Sequence, residues 1–165
     1  MTHATNNPIP TVARTAIVLI SLLLSACHSG LLHSEYHAVS PAGWHADSAL
    51  TFTFTPADTL TPCDILLHVR HTGNYPYQNT WLFIETGYDS LPLTYSRDTI
   101  QFFLADDRGQ WLGNGGNGWT DMPVLYRQQQ LFHHAAPYTI TVRHGMRDTL
   151  LRGITDIGLE IQRTN

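Results

Sequence analysis

The chain reads as an all-β protein: an antiparallel two-sheet sandwich, immunoglobulin-like or jelly-roll in type, behind a cleaved signal peptide. Three observations carry this. Short runs with apolar residues at every second position fill the chain beyond residue 35. Turn signals rich in Gly, Asn and Asp separate them at a spacing that suits about seven or eight strands. No window supports an amphipathic helix of useful length. A closed barrel built from the same strands is the alternative that pattern alone leaves open.

Taken in order, the first 26 residues form a lipoprotein signal peptide. The apolar run from Ala16 to Leu24 falls well short of the roughly 20 residues a spanning helix needs. Its flanks are those of a secretory signal: a polar leader with Arg14 and no acid before it, small residues after it. It ends in Leu24-Ser25-Ala26-Cys27, which resembles the lipobox of bacterial lipoproteins. That resemblance implies cleavage before Cys27, a diacylglyceryl thioether on its sulfur and a further palmitate-type chain on its amine. Several acyl chains together make a stable membrane anchor where one would not. This covalent lipid is the only attached group expected; no cofactor and no metal is.

Residues 27–34, CHSGLLHS, form a tether that spans roughly 28 Å at most. The domain proper is residues 35–165. Its first clear strand is ALTFTFTP (49–56), where Leu50, Phe52 and Phe54 alternate with threonines, as on a sheet with one wet face. CDILLHVRHT (63–72) places Ile65, Leu67 and Val69 on one face. TWLFIET (80–86) and TIQFFLAD (99–106) are aromatic and β-branched. YTITVRH (138–144) alternates Tyr138, Ile140 and Val142 with polar residues, and ITDIGLEIQ (154–162) ends the pattern with Ile157, Leu159 and Ile161. Turns are marked at Thr72-Gly73-Asn74, Asp107-Arg108-Gly109, Gly113–Gly118 and His144-Gly145.

Composition narrows the function classes. The 139 residues left after cleavage of 26 from 165 suffice for one domain with a sizeable core. There is no lysine, charged residues are only 13%, and the net charge is −4, so no basic patch exists for nucleic acid. With Cys27 lipidated, Cys63 has no partner for an internal disulfide and reads as a small buried hydrophobe.

The residue types that carry catalysis are present but badly spaced. His133 and His134, and likewise His68 and His71, would diverge on a strand and cannot simply chelate one ion. Asp106-Asp107 has turn composition, and nothing in the sequence brings Asp121 close to it. The loop GNGGNG lacks the Gly-Lys-Ser/Thr ending of a phosphate loop, and there is no Gly-x-Ser-x-Gly. No catalytic, metal or cofactor residue is assigned and no small-molecule substrate is expected. The aromatic residues Trp44, Trp81, Trp111 and Trp119, with Tyr75 and Tyr77 in NYPYQN, are of the kind used at protein interfaces or on sugar-binding sandwiches. Pro76 fixes a turn or edge between the two tyrosines. The expected contact surface is therefore Tyr75, Pro76 and Tyr77 as an exposed tip, with Trp111 and Trp119.

Four collinear segments following the lipobox, YHAVSPAGWHADSALTFTF (36–54), NYPYQNTWLFI (74–84), ADDRGQWLGNG (105–115) and YTITVRHGMRDTLLRGITDIGLEI (138–161), resemble the GldH family of gliding-motility lipoproteins. Pro137 before Tyr138, where the family pattern would have glycine, is a departure that bears on turn geometry. Gly109 and Gly113 flank Trp111, and Gly153 and Gly158 are candidate turn or bulge positions. The resemblance implies a membrane-anchored, non-catalytic envelope lipoprotein. Its partners would be other envelope proteins of the motility and secretion machinery. A periplasm-facing position is expected, with inner or outer membrane left open. The competing reading is a lipid-anchored glycan-binding module, which would need its tryptophans on one exposed platform.

Overall fold

The computed structural model describes residues 30–88 and 94–164. The expected signal peptide and Cys27 fall outside these. Among the described residues there is no helix, and the strands run β1 Leu31–Ala38, β2 Trp44–His45, β3 Leu50–Phe54, β4 Cys63–Thr72, β5 Asn79–Tyr88, β6 Thr94–Phe103, β7 Asn114–Gly116, β8 Trp119–Gln130, β9 Tyr138–His144, β10 Leu150–Leu151 and β11 Ile154–Arg163. Eight are full strands; β2, β7 and β10 are two or three residues long. They form a five-stranded sheet ordered β1-β11-β4-β8-β7, a four-stranded sheet ordered β3-β9-β5-β6, and a small β10-β2 pair. All pairings are antiparallel, and the sheets do not close into a barrel.

The core follows from the two-residue alternation. Ile65, Leu67 and Val69 of β4 lie opposite Ile161, Leu159 and Ile157 of β11, and all six are buried. From the facing sheet come Phe52, Phe54, Leu82, Ile84, Ile140 and Val142, joined in one cluster with the first six. Fully burying each such side chain contributes about 1.5–3 kcal/mol. Cys63 is buried at the head of β4, and its thiol is free.

Polar groups guard both flanks where this core runs out. On one, edge strand β1 turns His33, Glu35 and His37 inward. The His33 ring packs on Phe54 at 5.8 Å, the His37 ring on Phe52 at 4.6 Å, and His37 Nε2 lies 2.7 Å from Glu35 Oε1. The His37 hydrogen bond holds the Glu35 carboxyl below its usual range. An inward-pointing charge on an edge strand discourages pairing with another chain. On the other flank, Asp98 of β6 accepts from Arg127 Nη2 at 2.6 Å and Tyr126 Oη at 2.5 Å, tying the four-stranded sheet to β8.

Two strands depart from the expectation. β1 begins at Leu31, so Leu31–Ser34, assigned to the tether, belong to the domain. Pairing with β11 orders them, which their short apolar pattern does not announce. β8 runs through Pro123 and the Gln128–Gln130 run. Proline is tolerated there because β7 pairs only with Trp119–Asp121, leaving β8 an edge beyond that point.

The strands define two poles. Segments 55–62 and 131–137 lie at the pole where β1 starts; segments 39–49, 73–78, 104–118 and 145–153 lie at the opposite one. At this far pole Gly153 has φ +90°, and a Cβ on it would stand 2.6 Å from Tyr75 Cα. Gly158 is neither turn nor bulge: it lies inside β11 under the Tyr36 ring, 2.4 Å from where a Cβ would be. Gly153→Ala is expected to cost about 2–3 kcal/mol, combining left-handed strain with a clash against backbone. Urea unfolding measures this, and a loss under about 0.5 kcal/mol would contradict the packing.

Two histidines are in the core. His144 Nε2–H donates to the Trp44 carbonyl at 3.0 Å and His71 Nδ1–H to that of Thr72 at 3.1 Å, while the other nitrogen of each ring has no partner. Burial lowers the pKa of both. The unfolded chain therefore takes up these protons first as pH falls below about 6.5. Stability is fully present above that pH and declines beneath it by up to about 1.4 kcal/mol per pH unit for each ring still neutral in the fold. Urea midpoints at pH 7.5 and 5.5 test this, with His71→Gln and His144→Asn each expected to flatten the decline.

Candidate interaction surface

The sequence places Tyr75, Pro76 and Tyr77 at an exposed tip; the structure corrects this for Tyr75. Pro76 turns the chain outward and is exposed, but Tyr75 folds inward and is only 3% exposed. Its hydroxyl donates to the Asn79 carbonyl at 2.9 Å, and its ring lies 5.9 Å from His71 and 6.4 Å from Trp111. Burial pushes the Tyr75 hydroxyl up to about 12. Trp111 is half-buried and covers His71 at 4.5 Å. Tyr77 is half-buried at the rim, donating to Asp148 Oδ2 at 2.8 Å. These residues do converge at the far pole, but Tyr75 and Trp111 close the end of the core, with Pro76 and Tyr77 outermost.

The exposed aromatic surface lies next to them, on the outer face of the four-stranded sheet. From Thr80 to Ile84 β5 alternates: Thr80, Leu82 and Ile84 are buried, while Trp81 and Phe83 face out at 38% and 48% exposure. Phe103 of β6, paired with Asn79, is 60% exposed. The Phe83 ring packs against Gly145, where a Cβ would stand 2.9 Å from its Cζ. Trp81 N–H donates to Met146 Sδ at 3.4 Å. Tyr77, Trp81, Phe83, Met146 and Arg147 line an open groove of about 430 Å³. Beside it Glu85 holds Arg97 at 3.3 Å and Arg143 at 3.6 Å, so the patch has a basic margin. A run apolar at both odd and even positions, Trp81-Leu82-Phe83-Ile84, was the available signal, because one sheet face alone accounts for only half of it.

Trp119 lies elsewhere, 41% exposed on the outer face of the five-stranded sheet. That face carries a charged network which spacing did not reveal. His68 Nδ1 is 3.1 Å from Asp121 Oδ1 and its Nε2 is 3.2 Å from Glu160 Oε2. Arg70 Nε donates to Asp121 Oδ2 at 3.2 Å, and its guanidinium lies 3.8 Å from the Tyr36 ring centre and 5.1 Å from that of Trp119. Tyr36 Oη donates to Asp121 at 3.3 Å. Burial and the Asp121 charge push this hydroxyl up to about 12. The network joins β1, β11, β4 and β8. Its groups pair with one another, except that His68 Nε2 lies near Glu160 without a formed hydrogen bond, and they do not line the aromatic groove. As expected from their odd spacing, His68 and His71 face opposite sides of β4: one is in this network, the other in the core.

With the two outer faces in view, comparison with known proteins places the chain. The family profile described as GldH lipoprotein matches residues 32–161. The gliding motility lipoprotein GldH of Flavobacterium johnsoniae is 26% identical over 155 residues, covering 89% of this chain and 94% of that protein. A gliding motility lipoprotein GldH homolog of Christiangramia forsetii is 24% identical over 151 residues, 87% and 91% of the two chains. Among solved structures, the infectious bursal disease virus VP2 subviral particle aligns at a TM-score of 0.35 and 12% identity, over 80% of this chain and 32% of that one. The profile match spans nearly the whole described domain, from the second residue of β1 to within β11, and this chain belongs to the GldH lipoprotein family.

Proposed function

We propose that this protein is a lipid-anchored, non-catalytic component of the gliding-motility apparatus and its associated protein secretion, held at Cys27 and facing the periplasm. The names of the two relatives support a role in gliding motility. The observation that carries the mode of action is the exposed aromatic face of Trp81 and Phe83, which line the groove, with Phe103 exposed on the neighbouring strand. Large aromatic side chains presented outward on a rigid sheet are the usual anchors of a protein–protein contact. The partner is another envelope protein of the apparatus. A glycan platform is not favoured, because the exposed Trp81 and Trp119 lie on the outer faces of different sheets.

The test is genetic, with a biophysical control. The gene is deleted in its source bacterium and complemented with wild type, Cys27→Ala or Trp81→Ala/Phe83→Ala, and surface delivery of adhesins is measured. Wild type is expected to restore delivery and both variants to fail. The aromatic double variant should lose no more than about 1 kcal/mol of stability per site, whereas Leu82→Ala in the core costs about 2–5 kcal/mol. Normal delivery in the deletion strain would overturn the secretion role, and full rescue by the aromatic double variant would overturn the contact surface.

A further inference from the structure

We propose that the pole at which β1 starts is a membrane-seating surface, its exposed leucines entering the lipid to which the chain is anchored; this rests on the reading of Cys27 as the lipidated residue. Leu31 and Leu32 open β1 at 46% and 45% exposure, Leu60 is 86% exposed in the β3–β4 connection, and Leu131 is 38% exposed just after β8. A single exposed leucine is ordinary. Leucines from three separate stretches meeting at one pole are not. The pairings Leu31 with Gln162, and Cys63 with both Arg163 and Gln130, bring these stretches together.

The least expected of them is held firmly. Asp58 accepts from the backbone N–H of Leu60 at 2.9 Å, from that of Thr61 at 2.7 Å and from the Thr61 hydroxyl at 2.9 Å. This turn fixes Leu60 outward at its tip. Behind the rim a cavity of about 130 Å³, lined in part by Leu32, Phe54, Phe132 and Ile161, continues the apolar surface into the sandwich.

Chain length selects lipid as the occupant. Leu31 lies four residue steps beyond Cys27, a reach of about 14 Å at most. Amphipathic surfaces bury their apolar side about 5–10 Å into the headgroup and acyl boundary, which is side-chain scale. A short tether makes this second contact effectively intramolecular, so weak insertion suffices. Charge does not favour an anionic surface: the chain has no lysine, and of the residues named at this pole Asp58 and Asp64 outnumber Arg163. Apolar insertion, not attraction to anionic headgroups, holds the seat.

The experiment uses the full lipidated chain in phosphatidylethanolamine vesicles containing a minority of phosphatidylglycerol. An environment-sensitive fluorophore is placed at Leu60→Cys or, at the far pole, at Asn74→Cys; buried Cys63 leaves the new thiol the reactive one. Seating predicts several-fold stronger quenching by nitroxide-labelled lipid at position 60 than at position 74. Leu31→Glu/Leu32→Glu in the Leu60→Cys background should abolish that difference while the protein stays in the membrane fraction. Equal quenching at both positions in membrane-bound protein would overturn the seat and leave the anchor standing. Protection of position 60 by self-association, read as concentration-dependent crosslinking without lipid quenching, would also overturn it. Recovery of the wild-type chain in the soluble fraction would overturn the anchor reading, and the seat with it.

Discussion

Burial of one aliphatic strip against another is the constraint on which everything else in this molecule depends. Leu67, Val69, Ile157 and Leu159 on one sheet have no water contact, and neither do Phe52, Leu82, Ile84, Ile140 and Val142 on the other. No disulfide reinforces them among the described residues, since the one cysteine there is free. The polar devices are arranged around this strip: His33, Glu35 and His37 along one flank, Asp98 with Arg127 and Tyr126 along the other, and the Tyr75–His71–Trp111 cluster across the far pole. Each occupies a place where apolar packing gives out and backbone would otherwise meet water.

The same economy explains the outer faces. On the five-stranded sheet, a glycine at 158 lets the Tyr36 ring lie flat on β11, and the ring then supports the Arg70 guanidinium. His68, Asp121 and Glu160 complete a charged surface that ties four strands together. On the four-stranded sheet, Trp81 and Phe83 of β5 instead face outward and stay 38% and 48% exposed, with Gly145 and Met146 beside them. One face is largely paired internally; the other leaves aromatic side chains exposed.

Legibility followed from periodicity. Strands with a wet and a dry face, such as β3, β4 and β9, declare themselves by alternation, and the all-β sandwich follows from them. β8 does not, because Pro123 and three consecutive glutamines break its pattern at an edge that tolerates them. β1 does not, because its inward positions are His33, Glu35 and His37. Tyr75 is inward for a related reason: its backbone packs against Gly153, 78 residues away in sequence, and its ring against Trp111, contacts that no local pattern displays. The His68–Asp121–Glu160 grouping is equally non-local, assembled by register across three strands. The Trp81–Phe83 patch, by contrast, could have been read from β5 alone.

Strand length acts as a ruler here. β4 and β11 run ten residues each between the two poles, about 33 Å at strand rise. A sandwich standing on its leucine rim would hold Pro76 and Tyr77 about that far above the lipid, with Trp81 only slightly lower. A floppy linker of equal contour length would sample every height beneath its maximum. Two packed sheets offer one. A domain seated in that way would set one altitude for whatever it meets, and a two-residue step inserted into each strand would raise that altitude without altering the contact residues.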